Sequence, residues 1–263
     1  MRRLSLRLVA LGYLGLILVG PLAMMVVRTA EDLDGAWAAI SAPETLEAFK
    51  LTLFVAAIAV VVNTVFGIVC ALVIVRGNIP GRGLLNAFVD LPLALSPVIV
   101  GFSLVVLYGV NGWFGWFQRN GYEILFATPS IVLVTVFVTL PFVAREVVPT
   151  LREIGTDQEQ AARTLGASGW QTFWRITLPA IRWAVVYGVV LTAARAIGEF
   201  GAVAVVSGNI VGETQTATLR VEDAYQFAYG NYAPAYGISF VLAATAILIL
   251  VAMIFLQPKE DRR

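Results

Sequence analysis

The chain has 263 residues, of which 59% are hydrophobic and 13% are charged, and its formal net charge is +1. Soluble domains are roughly 45–50% apolar and about 25% charged, so this composition excludes a soluble enzyme and a disordered chain. The small net charge gives no field for binding nucleic acid, and the lack of histidine excludes imidazole-based metal sites and nucleophile pairs. We therefore expect an integral membrane protein.

Six apolar segments are long enough to cross a membrane, which takes about 20 predominantly apolar residues per helix. They occupy residues 8–27, 51–75, 91–118, 124–144, 183–207 and 224–258, and the strongly apolar part of the last is 238–256. The first segment has an apolar run longer than the about 7–15 residues of a signal-peptide core, so we predict that it remains as a helix. The sequence thus predicts an all-α polytopic membrane protein with six transmembrane helices, forming one domain over residues 1–263.

Lysine and arginine concentrate on one side of this predicted bundle. With the N-terminus in the cytoplasm, the inside segments hold 13 of these residues and the outside segments hold 4. Cytoplasmic loops carry the excess of positive charge in membrane proteins. Both termini are therefore predicted to be cytoplasmic.

The longest inside segment, residues 145–182, has the pattern of two short helices joined by a glycine. Residues 157–165 read as the first helix, and Gly166 suits the left-handed position that ends it. Ser168 is placed to cap a second helix, and Pro179 is predicted to end it before the fifth span. An apolar stripe on the second helix comprises Trp170, Phe173 and Trp174. Such a hairpin can dock in a groove of a partner protein or lie on the lipid surface, and the pattern alone favours neither.

The spacing of this segment resembles the EAA loop of ABC-importer permeases, whose pattern is Glu-Ala-Ala, three residues, Gly, nine residues and Ile-x-Leu-Pro. The chain departs from the pattern at Gln160, which stands where the family has its glutamate, directly after Glu159. In the family this loop, about residues 149–182 here, is the coupling helix that docks on a cytoplasmic ATPase subunit. The resemblance assigns to it Glu159, Gln160, Ala161, Ala162, Gly166, Ile176, Leu178 and Pro179.

The fifth span resembles the signature of sulfate and molybdate permeases. The resemblance covers residues 195–202 and 207–209, and the run 210–216 is closer to the sulfate branch of CysW type. It implies a type I ABC-importer permease of MetI-like fold in a bacterial inner membrane, moving sulfate or thiosulfate into the cytoplasm by alternating access. The implied partners are a second homologous permease subunit, two ATPase subunits and an extracytoplasmic sulfate-binding protein.

The chain lacks the phosphate-binding loop of a nucleotide-hydrolysing subunit. That loop has the form GxxxxGK[ST], whereas neither of the two lysines, Lys50 and Lys259, follows a glycine. We therefore expect that this chain is no enzyme and binds no cofactor, and that ATP and Mg bind to the partner ATPase.

Arg195 and Glu199 are strong charges inside a predicted span, and their i, i+4 spacing allows them to pair. The sequence leaves open whether they form a structural ion pair or line the substrate path. Ser96 lies between Pro92 and Pro97, where the third span either lines the path or bends for packing. We take Arg195, Glu199 and Ser96 as candidate path or gate residues.

Three other functions fit parts of the sequence. A molybdate or tungstate permease would more often pair with itself. An ion-coupled secondary transporter would use Glu199 as its coupling carboxylate, but it gives no reason for the spacing around Gly166. A membrane-embedded enzyme would need a cluster of catalytic groups, and the spans offer only Arg195 and Glu199 as strongly charged candidates.

Overall fold

The computed structural model describes residues 9, 11–78 and 80–256, and within these residues the chain is helical and contains no strand. The helices of the first half are α1 (Leu11–Glu31), α2 (Leu33–Ser41), α3 (Pro43–Arg76), α4 (Arg82–Ala94), α5 (Pro97–Tyr108) and α6 (Gly115–Arg119). Those of the second half are α7 (Thr128–Ile154), α8 (Asp157–Thr164), α9 (Gly169–Ile197), α10 (Gly201–Val206), α11 (Ala217–Gln226) and α12 (Ala233–Leu256).

Five of these helices are long and apolar enough to cross a membrane, namely α1, α3, α7, α9 and α12. A sixth crossing is made only if α4 and α5 count as one span, and these two helices meet at 108°. The prediction of an all-α polytopic protein is confirmed. The third predicted span, residues 91–118, is broken near Ser96, where the sequence allows a bend between Pro92 and Pro97. The break lies at Leu95 and Ser96, whose ψ angles are 141° and 135°. Ser96 is extended because a residue before proline avoids the helical region.

The centre of the bundle is formed by α3, α7 and α9, which pack against one another. Val143 of α7 lies between two glycines of the neighbouring helices. A Cβ added at Gly67 of α3 would lie 2.7 Å from Val143 Cβ, and one added at Gly188 of α9 would lie 2.6 Å from Val143 Cα. Small residues at such contacts let helix backbones approach closely within a membrane. A side chain at either glycine would separate the helices.

A buried amide also joins α3 to α7. Asn63 is fully buried, and its Nδ2 donates to the Val136 carbonyl at 2.9 Å and to Thr139 Oγ1 at 2.8 Å. Polar side chains of this kind hold neighbouring membrane helices together. Asn63 therefore fixes the two central helices relative to each other.

The remaining helices flank this centre. Helix α12 packs against α1, α2, α9 and α11, and Gly237 of α12 approaches Ala36 of α2 so closely that an added Cβ would lie 2.9 Å from Ala36 Cβ. Helix α10 packs against α5. Helix α1 buries little of its surface against the rest of the described chain, with Thr29 its one buried residue.

The fifth span differs from its prediction at both ends. The predicted segment is 183–207, whereas α9 begins at Gly169, ends at Ile197 and is followed by the separate short helix α10. Pro179 does not end a helix here, which corrects the prediction. A π-helical turn over Phe173–Thr177 directly precedes it, and this wider turn takes up the missing N–H and the bulk of the proline ring within a continuous helix.

Candidate functional site

A helical hairpin connects the two long helices α7 and α9. We define the hairpin as residues 155–177, which contain α8, a turn and the first turns of α9. Gly166 in the turn has φ +85°, and Ser168 caps the second helix in a box with Gln171: its Oγ accepts from the Gln171 N–H at 3.3 Å, and Gln171 Oε1 accepts from the Ser168 N–H at 2.9 Å. The left-handed glycine and the serine cap predicted from sequence are both confirmed.

One face of the hairpin carries large apolar side chains in contact with solvent. Leu165 is 89% exposed, Trp170 is 71% exposed and Trp174 is 50% exposed. The two tryptophan rings pack edge to face, with centroids 5.5 Å apart. Contiguous exposed apolar surface of this kind marks an interaction site with a protein or a membrane.

The opposite face of the hairpin is tied to the bundle through Glu159. Arg76 Nε at the end of α3 lies 3.1 Å from Glu159 Oε2, and Thr177 Oγ1 donates to Glu159 Oε1 at 3.0 Å. The side chains of Arg76 and Glu159 are only 18% and 13% exposed. Glu159, which directly precedes Gln160, is thus paired within the chain.

The other predicted loop residues divide between the surface and the base of the hairpin. Gln160 is exposed, and its Nε2 donates to Thr156 Oγ1 at 2.9 Å. Exposed residues also include Ala161 and Pro179, whereas the half-buried ones are Ala162, Ile176 and Leu178. The predicted loop therefore contains both surface residues and residues that hold the hairpin on the bundle.

The candidate path residues lie at the other end of α9. Arg195 Nη2 is 2.7 Å from Glu199 Oε2, and the Arg195 side chain is 34% exposed while that of Glu199 is 1% exposed. Glu199 Oε1 accepts from the Ala202 N–H at 2.9 Å at the start of α10, and the Glu199 carbonyl accepts from Thr218 Oγ1 at 2.8 Å. Glu199 is therefore fixed by three elements, while Arg195 keeps one third of its surface open.

Ser96 is exposed at the bend between α4 and α5. The bend packs on the start of α10. A Cβ added at Gly201 would lie 3.4 Å from Pro97 Cβ, which shows how close the two segments are. The structure thus brings the bend close to the segment that follows Glu199. The hairpin stays apart from both, since the 29 residues of α9 extend over roughly 40 Å at about 1.5 Å per residue.

Three functional contacts escaped the sequence analysis. Arg76, Thr177 and Thr218 make the bonds that fix Glu159 and Glu199. Arg76 is 83 positions from Glu159, and no local pattern links the two positions. The sequence offers one signal for this contact. Arg76 is a basic residue at the end of α3, and Glu159 is an acidic residue of the loop.

Two cavities of the described chain lie along α5 and under the hairpin. A groove of about 730 Å³ along α5 is lined by Ile99, Phe102 and Trp113 among others. A cavity of about 300 Å³ lies beside Arg76 and Glu159 under the hairpin. Among the residues that the structure describes, no group of three or more histidine, cysteine or acidic side chains is arranged to hold a metal ion.

The long apolar helices and the hairpin that joins two of them are those of a multi-pass membrane protein. The family described as "Binding-protein-dependent transport system inner membrane component" matches this chain over residues 63–263. The chain belongs to that family.

Named relatives and a solved structure agree with this assignment. The chain is 47% identical over 257 residues to the sulfate transport system permease protein CysW of Synechococcus elongatus, covering 97% of this chain and 89% of that protein. It is 37% identical over 250 residues to the sulfate transport system permease protein CysT of Escherichia coli K12, covering 94% of this chain and 90% of that protein. A bacterial alginate ABC transporter in complex with its alginate pentasaccharide-bound periplasmic protein matches with TM-score 0.78 at 18% identity, over 95% of this chain and 91% of that chain. This structural match confirms the predicted ABC-importer permease fold.

Proposed function

We propose that the chain is one permease subunit of an ATP-driven importer that moves sulfate or thiosulfate into the cytoplasm by alternating access. The hairpin is the observation that carries the proposal, because it combines a broad exposed apolar face with a base anchored on the central helices. The relatives named as sulfate permeases support the substrate. The chain has no phosphate-binding loop, so ATP and Mg belong to the partner ATPase.

In this proposal the hairpin is the coupling element that docks on an ATPase subunit. Gly166 supplies the left-handed turn, and Ala161, Leu165 and Trp170 supply exposed apolar contacts. Docking on a protein is favoured over lying on lipid because the spacing around Gly166 matches the loop that docks on the ATPase in this family. The hairpin then lies in the cytoplasm, which agrees with the excess of basic residues on that side.

The proposed assembly contains two copies of the ATPase and a second, homologous permease. An extracytoplasmic sulfate-binding protein delivers the substrate. ATP closes the ATPase dimer, the hairpins move with its two halves, and the permease pair opens outward.

We assign the substrate path to the region of the Arg195–Glu199 pair and the bend at Ser96. The partly open guanidinium of Arg195 attracts a dianion, while Glu199 compensates part of the charge. Such compensation suits a transporter, because a strong site that fully neutralised sulfate would release it slowly. Charged groups inside a membrane bundle are costly, face the bundle interior or a wet cavity, and are often functional.

The proposal is tested by tagging the chain, extracting it gently from its native membrane and identifying its stoichiometric companions. We expect an ATPase and a second, non-identical permease. An ATPase with copies of this chain alone would favour a molybdate-type system. A preparation that preserves other membrane complexes but yields no ATPase would contradict the proposal.

A further inference from the structure

The carboxylate of Glu159 is engaged inside the chain and not on the exposed face of the hairpin. Arg76 Nε lies 3.1 Å from one oxygen and 3.4 Å from the other, and Thr177 Oγ1 donates to the second oxygen at 3.0 Å. Both charged side chains are less than one fifth exposed. The neutral Gln160 bonds back to Thr156 within its own helix. The negative charge of Glu159 is therefore directed toward α3.

The guanidinium of Arg76 also contacts the turn that leads into the hairpin. Its Nη2 donates to the Gly155 carbonyl, between the end of α7 and the start of α8. Gly155 has φ +71° and ψ −162°, a backbone conformation that is open to glycine and strained for other residues. Arg76 is the last residue of α3, and Thr177 lies in the π turn of α9. One ion pair thus joins the ends of α3, α7, α8 and α9.

Helix α3 has no covalent connection to the hairpin, which is continuous only with α7 and α9. The two ends of α8 are flanked by Gly155 and Gly166, both with positive φ, so the backbone allows α8 to pivot at either end. The Arg76–Glu159 pair restrains this pivoting, because one guanidinium bonds both Glu159 on α8 and the Gly155 carbonyl.

The Arg76–Glu159 pair lies between two helices and is shielded from water, unlike the two exposed pairs that lie within single helices. The Arg28–Glu31 and Lys50–Glu47 pairs have side chains that are about half exposed or more, and water screens their attraction. The Arg145–Asp90 pair joins α7 to α4, but it does not contact the hairpin and its arginine is 55% exposed. Among ion pairs of the described residues, the Arg76–Glu159 pair alone connects the hairpin to the central helix.

We propose that the Arg76–Glu159 pair is the link that transmits movement of the hairpin to α3, the central helix of the bundle. Arg76 and Glu159 are positioning residues in this mechanism, and Thr177 holds the carboxylate in place. The inference rests on the proposed function, in which the hairpin docks on the ATPase. Closure of the ATPase dimer moves α8, and the ion pair makes α3 follow. Without the pair, α8 rotates about Gly155 and Gly166, and α3 does not move with it.

The test moves the charge by one residue without changing its amount. The variants are E159Q, which removes the charge, and E159Q/Q160E, which places it at the neighbouring position. Q160E leaves the Arg76–Glu159 pair intact and is the reference for the double variant, and E47Q, which removes the exposed Lys50–Glu47 pair outside the hairpin, is the matched control. Each variant is reconstituted as the complete transporter with its binding protein in liposomes. Retention of the ATPase, ATP hydrolysis and sulfate uptake are measured on the same preparation.

We expect both E159Q and E159Q/Q160E to retain the ATPase and to hydrolyse ATP, with uptake per ATP lowered about tenfold, within the range of measured coupling between sites. E47Q keeps the wild-type uptake per ATP, and E159Q/Q160E falls below Q160E. Wild-type uptake per ATP in E159Q/Q160E would overturn the inference, because a carboxylate at the neighbouring position of α8 would then be enough for coupling. Failure of the wild-type chain to retain an ATPase would instead contradict the proposed function.

If E159Q does not assemble, the milder variant T177V tests the inference. T177V removes one hydrogen bond to Glu159 and leaves both charges in place. We expect a smaller loss of uptake per ATP in the same direction, with assembly intact. An unchanged ratio in T177V would then count against the link.

A distance measurement reports the link itself. Spin labels at Asn78, directly after α3, and at Gln158 on α8 occupy exposed positions in a C70A background. We expect ATP to leave the distance between the labels unchanged in the otherwise wild-type chain and to shift or broaden it in T177V and E159Q. Equal distributions with and without ATP in E159Q would overturn the inference.

Discussion

We expect removal of Arg195 to destabilise the chain more than neutralisation of Glu199. The Glu199 side chain is 1% exposed, so loss of Arg195 leaves a carboxylate without a counter-charge and almost without water. Breaking a buried pair in this way costs about 3–5 kcal/mol. In E199Q the amide oxygen still accepts from Ala202, and Arg195 at 34% exposure keeps contact with water. We therefore expect E199Q to cost about 1–2 kcal/mol, between the values for surface and buried pairs.

The assay is thermal unfolding in detergent, followed by size-exclusion chromatography with fluorescence detection. A loss of about 3 kcal/mol lowers Tm by roughly 6–12 °C in a chain of this size. We expect R195M to melt below E199Q, and R195M/E199Q to melt above R195M, because the second substitution removes the unpaired carboxylate. Equal Tm values for the single variants, or additive losses in the double variant, would refute this reasoning.

The same double variant separates a structural role from a role in the substrate path. R195M/E199Q lacks both charges, so we expect the fold to be largely retained and the positive field that attracts the anion to be lost. A hydrogen bond to a charged group contributes about 1.5–3 kcal/mol, so we expect sulfate uptake to fall at least about tenfold. Normal uptake by a well-assembled R195M/E199Q complex would remove Arg195 and Glu199 from the path.

Three further outcomes follow from the geometry of single residues. Replacing Gly166, with φ +85°, by valine should weaken ATPase docking without changing membrane insertion, measured by co-purification with Gly169→Ala as control. Gly67→Leu should lower Tm strongly, because an added Cβ would already lie 2.7 Å from a side chain of α7, whereas Gly83→Ala in open space should not. Asn63→Leu should cost only about 1 kcal/mol in a thermal or steric-trapping assay, since hydrogen bonds between membrane helices are individually weak.

Local signals in the sequence predict the parts of the fold that depend on neighbouring residues. The apolar segments mark the spans, the left-handed position is visible at Gly166, and the cap is visible at Ser168, because hydropathy, turn conformation and capping act over a few positions. The motif spacing likewise places the hairpin correctly on the base of the fifth span.

Contacts between distant positions cannot be predicted in the same way. The bond between Arg76 and Glu159 depends on how α3 and the hairpin pack, and no local pattern in the sequence between them predicts that packing. The 108° bend between α4 and α5 exceeds a simple proline kink, because it also depends on α10 packing against it. Pro179 signals a helix end locally, yet a π turn absorbs it within a continuous helix.

The central claim is that this chain forms part of an ATP-driven importer of sulfate. The most direct test is uptake of radiolabelled sulfate by liposomes that contain the reconstituted complex and the binding protein. We expect uptake to require ATP inside the liposomes and the binding protein outside, and to continue when ionophores collapse the ion gradients. Uptake that proceeds without ATP and is abolished by ionophores would contradict the account and favour a secondary transporter.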